Sequence, residues 1–347
     1  MSIRFAFAGF RHSHIFDVVK RVAEHPDTTL VAACEADAST RAELADKKTV
    51  SVTHDDYERM LKEVPCDVIA VGDVFARRGP LVIRALQAGK HVLSDKPICT
   101  ALDEWEQIRD LSRKRNLVVG CMLDLRGDGG MRTARRLMRE GRIGPVQTAT
   151  FHGQHAFYLA SRPKWYFQSG LHGGTINDLG VHGIDAVRWM TGQEITEIIA
   201  ARTWNAKATP YPYFHDCAQV FLRLSEGGGV LGDVSYLAPD GCGRRENDLR
   251  MYPPGWRFTF HGTGGMIETF HSGPYVVLAR DGDKEPQFVE PEQTVHGAYF
   301  LDFLSQVHGR PEEISLTTDE VLRSSYVTLL AQRAADKNRM HVGCEYR

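Results

Sequence analysis

The feature that most constrains the fold of this chain is the alternation of short apolar runs with amphipathic stretches over its first 120 residues. The runs have strand length and the stretches have helical periodicity. The predicted strands are Ile3–Ala8, Thr29–Cys34, Asp67–Val71, His91–Ser94 and Asn116–Gly120, with helices at about 14–25, 39–47, 54–63, 77–88 and 101–114. Strict alternation produces βαβ units, so we predict a doubly wound parallel sheet covered by helices on both faces.

After Met122 the pattern changes, because strand-like runs follow one another without helices between them, and such strands pair antiparallel. The predicted helices are at about 128–140, 174–191, 296–308 and 317–337, around an irregular stretch at 155–172. The predicted strands are Ile195–Trp204, Ala218–Leu224, Gly229–Tyr236, Arg257–His261, Met266–Phe270 and Tyr275–Ala279. We expect an α/β domain over 1–122 and, over 123–347, an α+β domain with an open, mainly antiparallel sheet, its last helix packing back on the first domain.

Charge balance and the length of the apolar runs argue against two classes of partner. Lys and Arg number 42 against 44 Asp and Glu, a formal net charge of −2, so there is no cationic excess for nucleic acid. No apolar run approaches the roughly 20 residues of a transmembrane helix. The segment Met1–Phe5 enters a predicted strand without the features of a signal peptide. We therefore expect a cytoplasmic protein.

Neither the cysteines nor the histidines form a recognisable metal or disulfide pattern. The seven cysteines are never spaced Cys-x-x-Cys, so we expect small buried side chains. His152 and His155 fall in a predicted strand, where residues three apart face opposite sides. His215-Asp216-Cys217 is too compact to supply three ligands. We expect no required metal. One set is left open, in case folding gathers it: His155, His172, Asp178 and His182.

The first turn fits a dinucleotide-binding pattern only in part. In G-x-G-x-x-G the glycines make the turn, admit the pyrophosphate and pack helix on strand. Gly9 fills the first place, but Arg11 and His14 fill the second and third. Glu35 ends the second strand about 20 residues further on, where a carboxylate accepts the ribose hydroxyls of NAD and repels the 2′-phosphate of NADP. We predict NAD as cofactor, with Arg11 and His12 supplying charge to its phosphates. The alternative is that no dinucleotide binds here, Gly9 being an ordinary turn glycine and Glu35 a solvated residue at the end of a strand.

Lys96 lies just beyond the carboxyl end of the predicted strand His91–Ser94. Open α/β sheets bind ligands at that edge, so the side chain is expected to point toward the ligand. A lysine there can stabilise a developing alkoxide or lower the pKa of a substrate hydroxyl. The alternative is a surface lysine before the turn at Pro97.

The predicted helix 174–191 carries a polar stripe. At about 100° per residue, Asp178, His182 and Asp185 fall within roughly 60° of arc, away from the apolar side. An imidazole titrates near neutral pH, and a carboxylate can fix its tautomer or hold a substrate hydroxyl. The stripe predicts a general base; the alternative is a solvent-exposed pair four residues apart.

Three segments together resemble the Gfo/Idh/MocA family of NAD(P)-dependent sugar and cyclitol dehydrogenases, over nearly the whole chain. Residues 89–97 are similar to the family's G-K-H-V-x-x-E-K-P, residues 173–185 to G-G-x-x-x-D-x-G-x-H-x-x-D, and residues 261–268 to a later G-T-x-G turn. The resemblance implies a Rossmann domain, a second domain whose open sheet builds homodimers or homotetramers, and a site between the domains. It also implies that Lys96, Asp178 and His182 are the catalytic set and contact the substrate.

The chain departs from this family pattern at both cofactor-facing turns. Beyond the lost glycines, Asp95 replaces the usual glutamate, and Asp73–Arg78 replaces T-P-N-x-x-H. Either NAD binds through altered contacts or dinucleotide redox chemistry has been lost. The predicted cofactor-binding residues are Gly9, Arg11, His12, Glu35, Asp73, Arg78 and Lys96.

These residues lead us to expect an NAD-dependent dehydrogenase acting on a secondary alcohol of a sugar, cyclitol or sugar acid. His182 would accept the hydroxyl proton, Lys96 would stabilise the alkoxide and Asp178 would orient the substrate. Trp165 is expected in the substrate wall, because aromatic faces suit a polyol. Two alternatives stay open: an NAD-assisted enzyme that cleaves glycosides by oxidation and elimination, and a non-catalytic dinucleotide-binding regulator.

Overall fold

The computed structural model describes residues 2–240, 255–310 and 314–346. Cys242, which the sequence predicts to be buried, lies outside the described residues; of the six other cysteines, five are buried. The chain divides into two compact units. The first comprises the residues up to Met122 with Gly170–Gly173 and Tyr299–Leu322, and the second comprises the remainder.

The first unit contains a five-stranded parallel sheet. Its strands β1 to β5 are Ile3–Ala8, Thr28–Cys34, Val68–Val71, His91–Ser94 and Val119–Cys121. They lie in the order β2-β1-β3-β4-β5, and every neighbouring pair is parallel. The helices α1 to α5 are Ile15–Glu24, Ala38–Lys47, Tyr57–Glu63, Phe75–Gln87 and Leu102–Arg115. The predicted parallel α/β sheet is confirmed.

The carboxyl ends of the strands meet at one edge of this sheet, because all five run the same way. The amide of Gly72 donates a hydrogen bond to the carbonyl of Ala8 at 3.0 Å. The amide of Asp95 donates a hydrogen bond to the carbonyl of Val71 at 2.9 Å. The chain therefore leaves β1, β3 and β4 side by side. This edge is where ligands of open parallel sheets bind.

The second unit contains a nine-stranded sheet, whose strands β6 to β14 are Val146–Ala156, Ile195–Trp204, Cys217–Leu224, Gly229–Ala238, Trp256–Gly262, Gly265–Phe270, Val276–Arg280, Gln287–Val289 and Val342–Gly343. They lie in the order β13-β12-β11-β10-β6-β9-β8-β7-β14. Within this sheet, β6 and β9 are the one parallel pair among the described strands, so the predicted open, mainly antiparallel sheet is confirmed. The helices α6 and α7 of this unit are Gly129–Arg139 and Val181–Thr191. The helix α8, Ala298–Val307, lies almost wholly in the first unit, and α9, Thr318–Asp336, begins in the first unit and continues in the second.

The predicted helix 174–191 is divided in two. A five-residue π-helical turn, Ile176–Gly180, precedes α7. Gly174 has a φ of +97°, which prevents a regular helix from starting there.

The fifth strand, β5, begins later than predicted, because Asn116 adopts a φ of +52° at the end of α5. Among the described helices, none combines the length and the apolar character needed to cross a bilayer.

Candidate active site

The turn after β1 is as tight as the first glycine of a dinucleotide turn requires. Gly9 has a φ of +80°, and a Cβ placed on it would lie 2.5 Å from the Cβ of Asp73. Any other residue would clash with the turn after β3 as well as strain the backbone. The sequence therefore needs glycine here for the close approach of two turns at the ligand edge.

Glu35 directly follows β2 and is only 1% exposed. Its carboxylate accepts hydrogen bonds from the amides of Phe10 at 2.7 Å and Asp37 at 2.8 Å. Burial raises the pKa of Glu35, although both amides oppose the rise. The alternative of a solvated glutamate is wrong, because this carboxylate is fixed against the turn that follows β1.

Arg11, in the place of the second glycine, is held by Asp73. Its Nε donates to Asp73 Oδ1 at 2.6 Å, and its Nη2 lies 2.6 Å from the same oxygen. The amide of Val74 also donates to this oxygen, at 2.7 Å, and Arg78 Nε donates to the Asp73 carbonyl at 2.8 Å. The positive charge of Arg11 is thus kept at the turn by a carboxylate from the neighbouring strand.

Asp95 is fully buried and gathers three side chains around its carboxylate. Its Oδ2 accepts hydrogen bonds from Nδ1 of His12 and from Nη2 of Arg78, the latter at 2.9 Å, while Nδ1 of His14 lies 3.4 Å from Oδ1. Burial alone would raise the pKa of Asp95, but Arg78 and the two imidazoles hold it well below its usual range. Burial lowers the pKa of His12 to about 4, so its ring is neutral at pH 7.

Lys96 is 3% exposed, so the alternative of a surface lysine is wrong. Its carbonyl accepts a hydrogen bond from Nη1 of Arg78. Its Nζ lies 5.9 Å from the ring centroid of Phe75, and that ring meets His12 edge-on at 5.0 Å. Lys96 therefore shares an environment with the Asp95 cluster.

The structure brings the predicted cofactor-binding residues to one edge of one sheet, just after β1, β2, β3 or β4 or, for Arg78, in the first turn of α4. They are Gly9, Arg11, His12, Glu35, Asp73, Arg78 and Lys96. Sequence reasoning missed the part that Asp95 and His14 play in this cluster. The available signal was two histidines in a turn that normally carries glycines.

Asp178 lies in the π-helical turn of the second unit and is buried. Its carboxylate accepts a hydrogen bond from the phenol of Tyr236, a buried residue of β9, and its amide donates to the carbonyl of Gly174 at 3.0 Å. Tyr236 is a candidate site residue that sequence reasoning missed, since nothing in the pattern of β9 distinguishes it. The pair fixes the direction of the carboxylate.

His182 lies near the start of α7 and is 8% exposed. Its Nδ1 is 3.7 Å from Oδ1 of Asp124, and its ring meets Trp256 edge-on at 5.6 Å. The alternative of a solvent-exposed pair is wrong for Asp178 and His182, because both are buried. The two residues are a buried carboxylate and a buried imidazole four positions apart.

Asp185, the third member of the predicted stripe, has a structural role instead. Its carboxylate accepts two hydrogen bonds from Arg126, at 2.9 and 2.6 Å, and one from Ser324 at 2.7 Å. Arg126 belongs to the short 3-10 helix Asp124–Gly127. The buried pair therefore ties α7 to the segment that carries Asp124, the carboxylate facing His182.

Trp165 lies in a 3-10 turn of the second unit, Lys164–Phe167, and is mostly buried. Its ring packs on Tyr166 with centroids 4.1 Å apart. The guanidinium of Arg162 lies 4.8 Å from the ring of Tyr166 and 4.9 Å from that of Tyr236. The predicted substrate wall is thus linked to the tyrosine that holds Asp178.

The histidine set left open from the sequence does not converge on an ion site within the ranges that the structure describes. His152 and His155 both lie in β6, as predicted. Among the described residues, the one group of metal-ligating side chains close enough to share an ion is His12, His14 and Asp95.

Two family descriptions match the sequence. Residues 3–122 match "Oxidoreductase family, NAD-binding Rossmann fold", and residues 131–268 match "GFO/IDH/MocA C-terminal domain". Together the two matches span most of the chain. The chain belongs to the Gfo/Idh/MocA family.

Relatives of this Gfo/Idh/MocA protein include the uncharacterized oxidoreductase YrbE of Bacillus subtilis, 24% identical over 91% of this chain and 89% of that protein. Inositol 2-dehydrogenase 2 of Saccharopolyspora erythraea is 30% identical to this chain, over 62% of this chain's length and 60% of the length of that enzyme. An inositol dehydrogenase homolog from Azotobacter vinelandii, solved with NADH and myo-inositol, aligns with a TM-score of 0.77 at 17% identity, covering 100% of this chain and 98% of that one. This last likeness shows the fold.

The family makes this protein an NAD-dependent oxidoreductase, and its own residues fit that cofactor. Gly9 provides the close backbone approach, and Glu35 places a carboxylate at the end of β2. A carboxylate there suits ribose hydroxyls. The second and third glycines are replaced by Arg11 and His14.

Proposed function

We propose that this oxidoreductase interconverts a secondary alcohol of a sugar, cyclitol or sugar acid with the corresponding ketone. The observation that carries the proposal is buried Asp178, hydrogen-bonded to Tyr236 and followed four residues later by buried His182. NAD, when bound, supplies the acceptor for the hydride of the carbinol carbon. The match to an inositol 2-dehydrogenase supports a polyol as substrate.

His182 is the general base of the proposal and accepts the proton of the reacting hydroxyl. The carboxylate of Asp124, 3.7 Å from Nδ1, stabilises the positive charge that the ring then gains. Asp178 accepts a hydrogen bond from the substrate and orients it. Lys96 contributes its positive charge to the oxygen that becomes an alkoxide.

The cofactor-binding role that we propose for the first unit uses charge in place of two glycines. Gly9 lets the backbone approach the pyrophosphate, and Glu35 accepts the ribose hydroxyls. Arg11 and Arg78 would supply positive charge to the phosphates, because charge-assisted hydrogen bonds are stronger than neutral ones. His12 is neutral at pH 7, contrary to the charge predicted for it from the sequence, and would offer only a neutral hydrogen bond. Asp73 positions Arg11 through the 2.6 Å ion pair.

Trp165 and its neighbours are the proposed substrate wall. Aromatic faces suit the C–H face of a polyol, and the Arg162 guanidinium offers hydrogen-bond donors close to Tyr166 and Tyr236. The wall and Asp178 would together select for a ring or chain bearing neighbouring hydroxyls.

We also propose a homodimer or homotetramer formed through the nine-stranded sheet. Phe221 of β8 pairs directly with Leu231 of β9, and these side chains are 40% and 56% exposed. Burying such residues against a second copy removes apolar surface from water. Light scattering should show that Leu231→Glu lowers the mass of the oligomer relative to the native protein. Tyr213→Glu, a substitution on an exposed turn, is the control and should leave the mass unchanged. An unchanged mass for Leu231→Glu would contradict this interface.

The proposed activity is tested by incubating the protein with NAD and a panel of inositols, pentoses, hexoses and sugar acids while following NADH absorbance. Native protein should reduce NAD with at least one member. Lys96→Met and His182→Asn should lower kcat by about 10² or more, whereas His152→Asn, a half-exposed histidine of β6, should match native protein. Near-native turnover by either catalytic variant would contradict the assigned roles.

A further inference from the structure

Three side chains with metal-ligating atoms meet in the first unit, outside the proposed catalytic set. His12 and His14 come from the turn before α1, and Asp95 follows β4. Their ligand atoms all lie within 4.8 Å of one another, and the two imidazole centroids are 4.4 Å apart. One cation could therefore contact all three after small side-chain movements.

A second observation points to a cation. Oδ1 of Asp95 is buried and has no hydrogen-bond partner among the described residues. Nδ1 of His14 lies 3.4 Å from this oxygen. A buried carboxylate oxygen without a partner is costly, and such atoms in native structures call for an explanation such as a bound ion.

The donor set selects the class of ion. Two imidazole nitrogens and one carboxylate oxygen suit Zn²⁺ and its first-row neighbours, whereas Mg²⁺ and Ca²⁺ prefer oxygen ligands throughout. We propose that His12, His14 and Asp95 bind a divalent transition-metal ion, with the remaining coordination positions open to water or a ligand.

Arg78 binds the other carboxylate oxygen of Asp95, so that Oδ1 is available to the ion. Its Nη2 binds Oδ2 of Asp95 at 2.9 Å, and its Nη1 binds the carbonyls of Lys96 and Pro97, the latter at 3.2 Å. Hydrogen bonds of this kind fix the direction of a ligating carboxylate.

This inference does not rest on the proposed function, because binding is measured without nucleotide or substrate. Full-length protein is stripped with a chelator, dialysed and titrated with Zn²⁺ by calorimetry, with Co²⁺ as a spectroscopic probe of nitrogen and oxygen ligation. We expect one ion per chain and a higher thermal midpoint for the loaded protein.

His14→Ala is the decisive variant, because the side chain is 47% exposed and its removal spares the buried Asp95–Arg78 pair. Its affinity for Zn²⁺ should fall at least about tenfold, since even residues behind the ligands contribute that much, while the metal-free thermal midpoint stays at the native value. His308→Ala, an exposed histidine after α8, should bind like native protein. Native protein that binds no Zn²⁺, or a His14→Ala variant with native affinity, would overturn the inference.

Discussion

The guanidinium of Arg11 and the carboxylate of Asp73 form an ion pair with an N···O distance of 2.6 Å. It joins the turns that follow β1 and β3, the two places where the chain departs most from its family. Both side chains are largely buried. The replacement of a glycine by arginine therefore comes with a built-in counter-ion, which fits an altered contact better than a blocked site.

Removing Arg11 should weaken NAD binding. Arg11→Ala and Arg11→Gly should each reduce the binding free energy by about 1–3 kcal/mol, because a hydrogen bond to a charged group is lost and Asp73 then faces the phosphates alone. Calorimetry measures both variants side by side. Asp73→Asn added to Arg11→Ala should recover part of the loss, and tighter NAD binding by Arg11→Gly would show that arginine blocks the turn.

Glu35 should make NAD preferred over NADP in a pH-dependent way. Burial raises the pKa of Glu35, with Arg11 and Asp73 the charged groups that face it from the adjoining turns. The carboxylate is therefore protonated at a higher pH than an ordinary glutamate, whose pKa is about 4.3. NAD affinity should fall as the pH drops through this raised pKa, and Glu35→Gln should bind NAD weakly without that pH dependence. Equal affinity of native protein for NADP at neutral pH would contradict the role of Glu35.

The same shift has a defined sign for stability. Because the folded protein holds the Glu35 proton more tightly than the unfolded chain, its contribution to stability is present at low pH and is lost as the pH rises through the folded pKa. In urea unfolding, the free energy of unfolding of Glu35→Gln should not show this loss as the pH rises. If the unfolding free energies of native protein and variant changed equally between acid and neutral pH, the assignment of the raised pKa to Glu35 would be contradicted.

Tyr236 should act as a positioning residue for Asp178. Tyr236→Phe removes the phenol that donates to the carboxylate, and we expect kcat/KM to fall roughly tenfold to a hundredfold. A change in the pH profile of kcat should accompany the loss, because a hydrogen bond from the phenol favours the ionised form of the carboxylate. Tyr213→Phe, on an exposed ring, is the matched control. A native pH profile and native kcat/KM in Tyr236→Phe would leave the hydrogen bond without a role.

The Arg126–Asp185 pair should be a large contributor to the stability of the second unit. Asp185→Asn removes the carboxylate that pairs with the buried Arg126 guanidinium, and breaking such a pair costs about 3–5 kcal/mol of unfolding free energy. Urea denaturation measures the loss. Glu140→Gln breaks the exposed Arg136–Glu140 pair and should change stability by less than about 1 kcal/mol. Similar small effects in both variants would show that the Asp185 contact is dispensable.

Much of the first unit could be predicted from the sequence because apolar runs buried on both faces of a sheet are easily recognised. Parallel strands also place their carboxyl ends together, so Gly9, Glu35, Asp73 and Lys96 could be assigned to one edge without coordinates. The start of β5 was predicted too early because a left-handed Asn116 is not visible as a helix end in the apolar pattern.

The rest depended on partners far apart in the chain. Asp178 and Tyr236 are 58 residues apart, and Arg126 and Asp185 are 59 apart, so neither hydrogen bond has a local signal. A helical projection assigned Asp185 to the polar stripe beside His182, whereas a buried arginine from another segment binds it. The three-residue strand β13 and the two-residue strand β14 are too short to give a periodic signal.

The most direct test of the central claim is the stoichiometry of turnover on a substrate found in the panel. Products are quantified by mass spectrometry while NADH is followed by absorbance. The account predicts one NADH for each molecule of alcohol converted to ketone, with both products lost together in His182→Asn. Release of a free sugar from a glycoside without net NADH, or NAD binding with no turnover on any polyol, would contradict it.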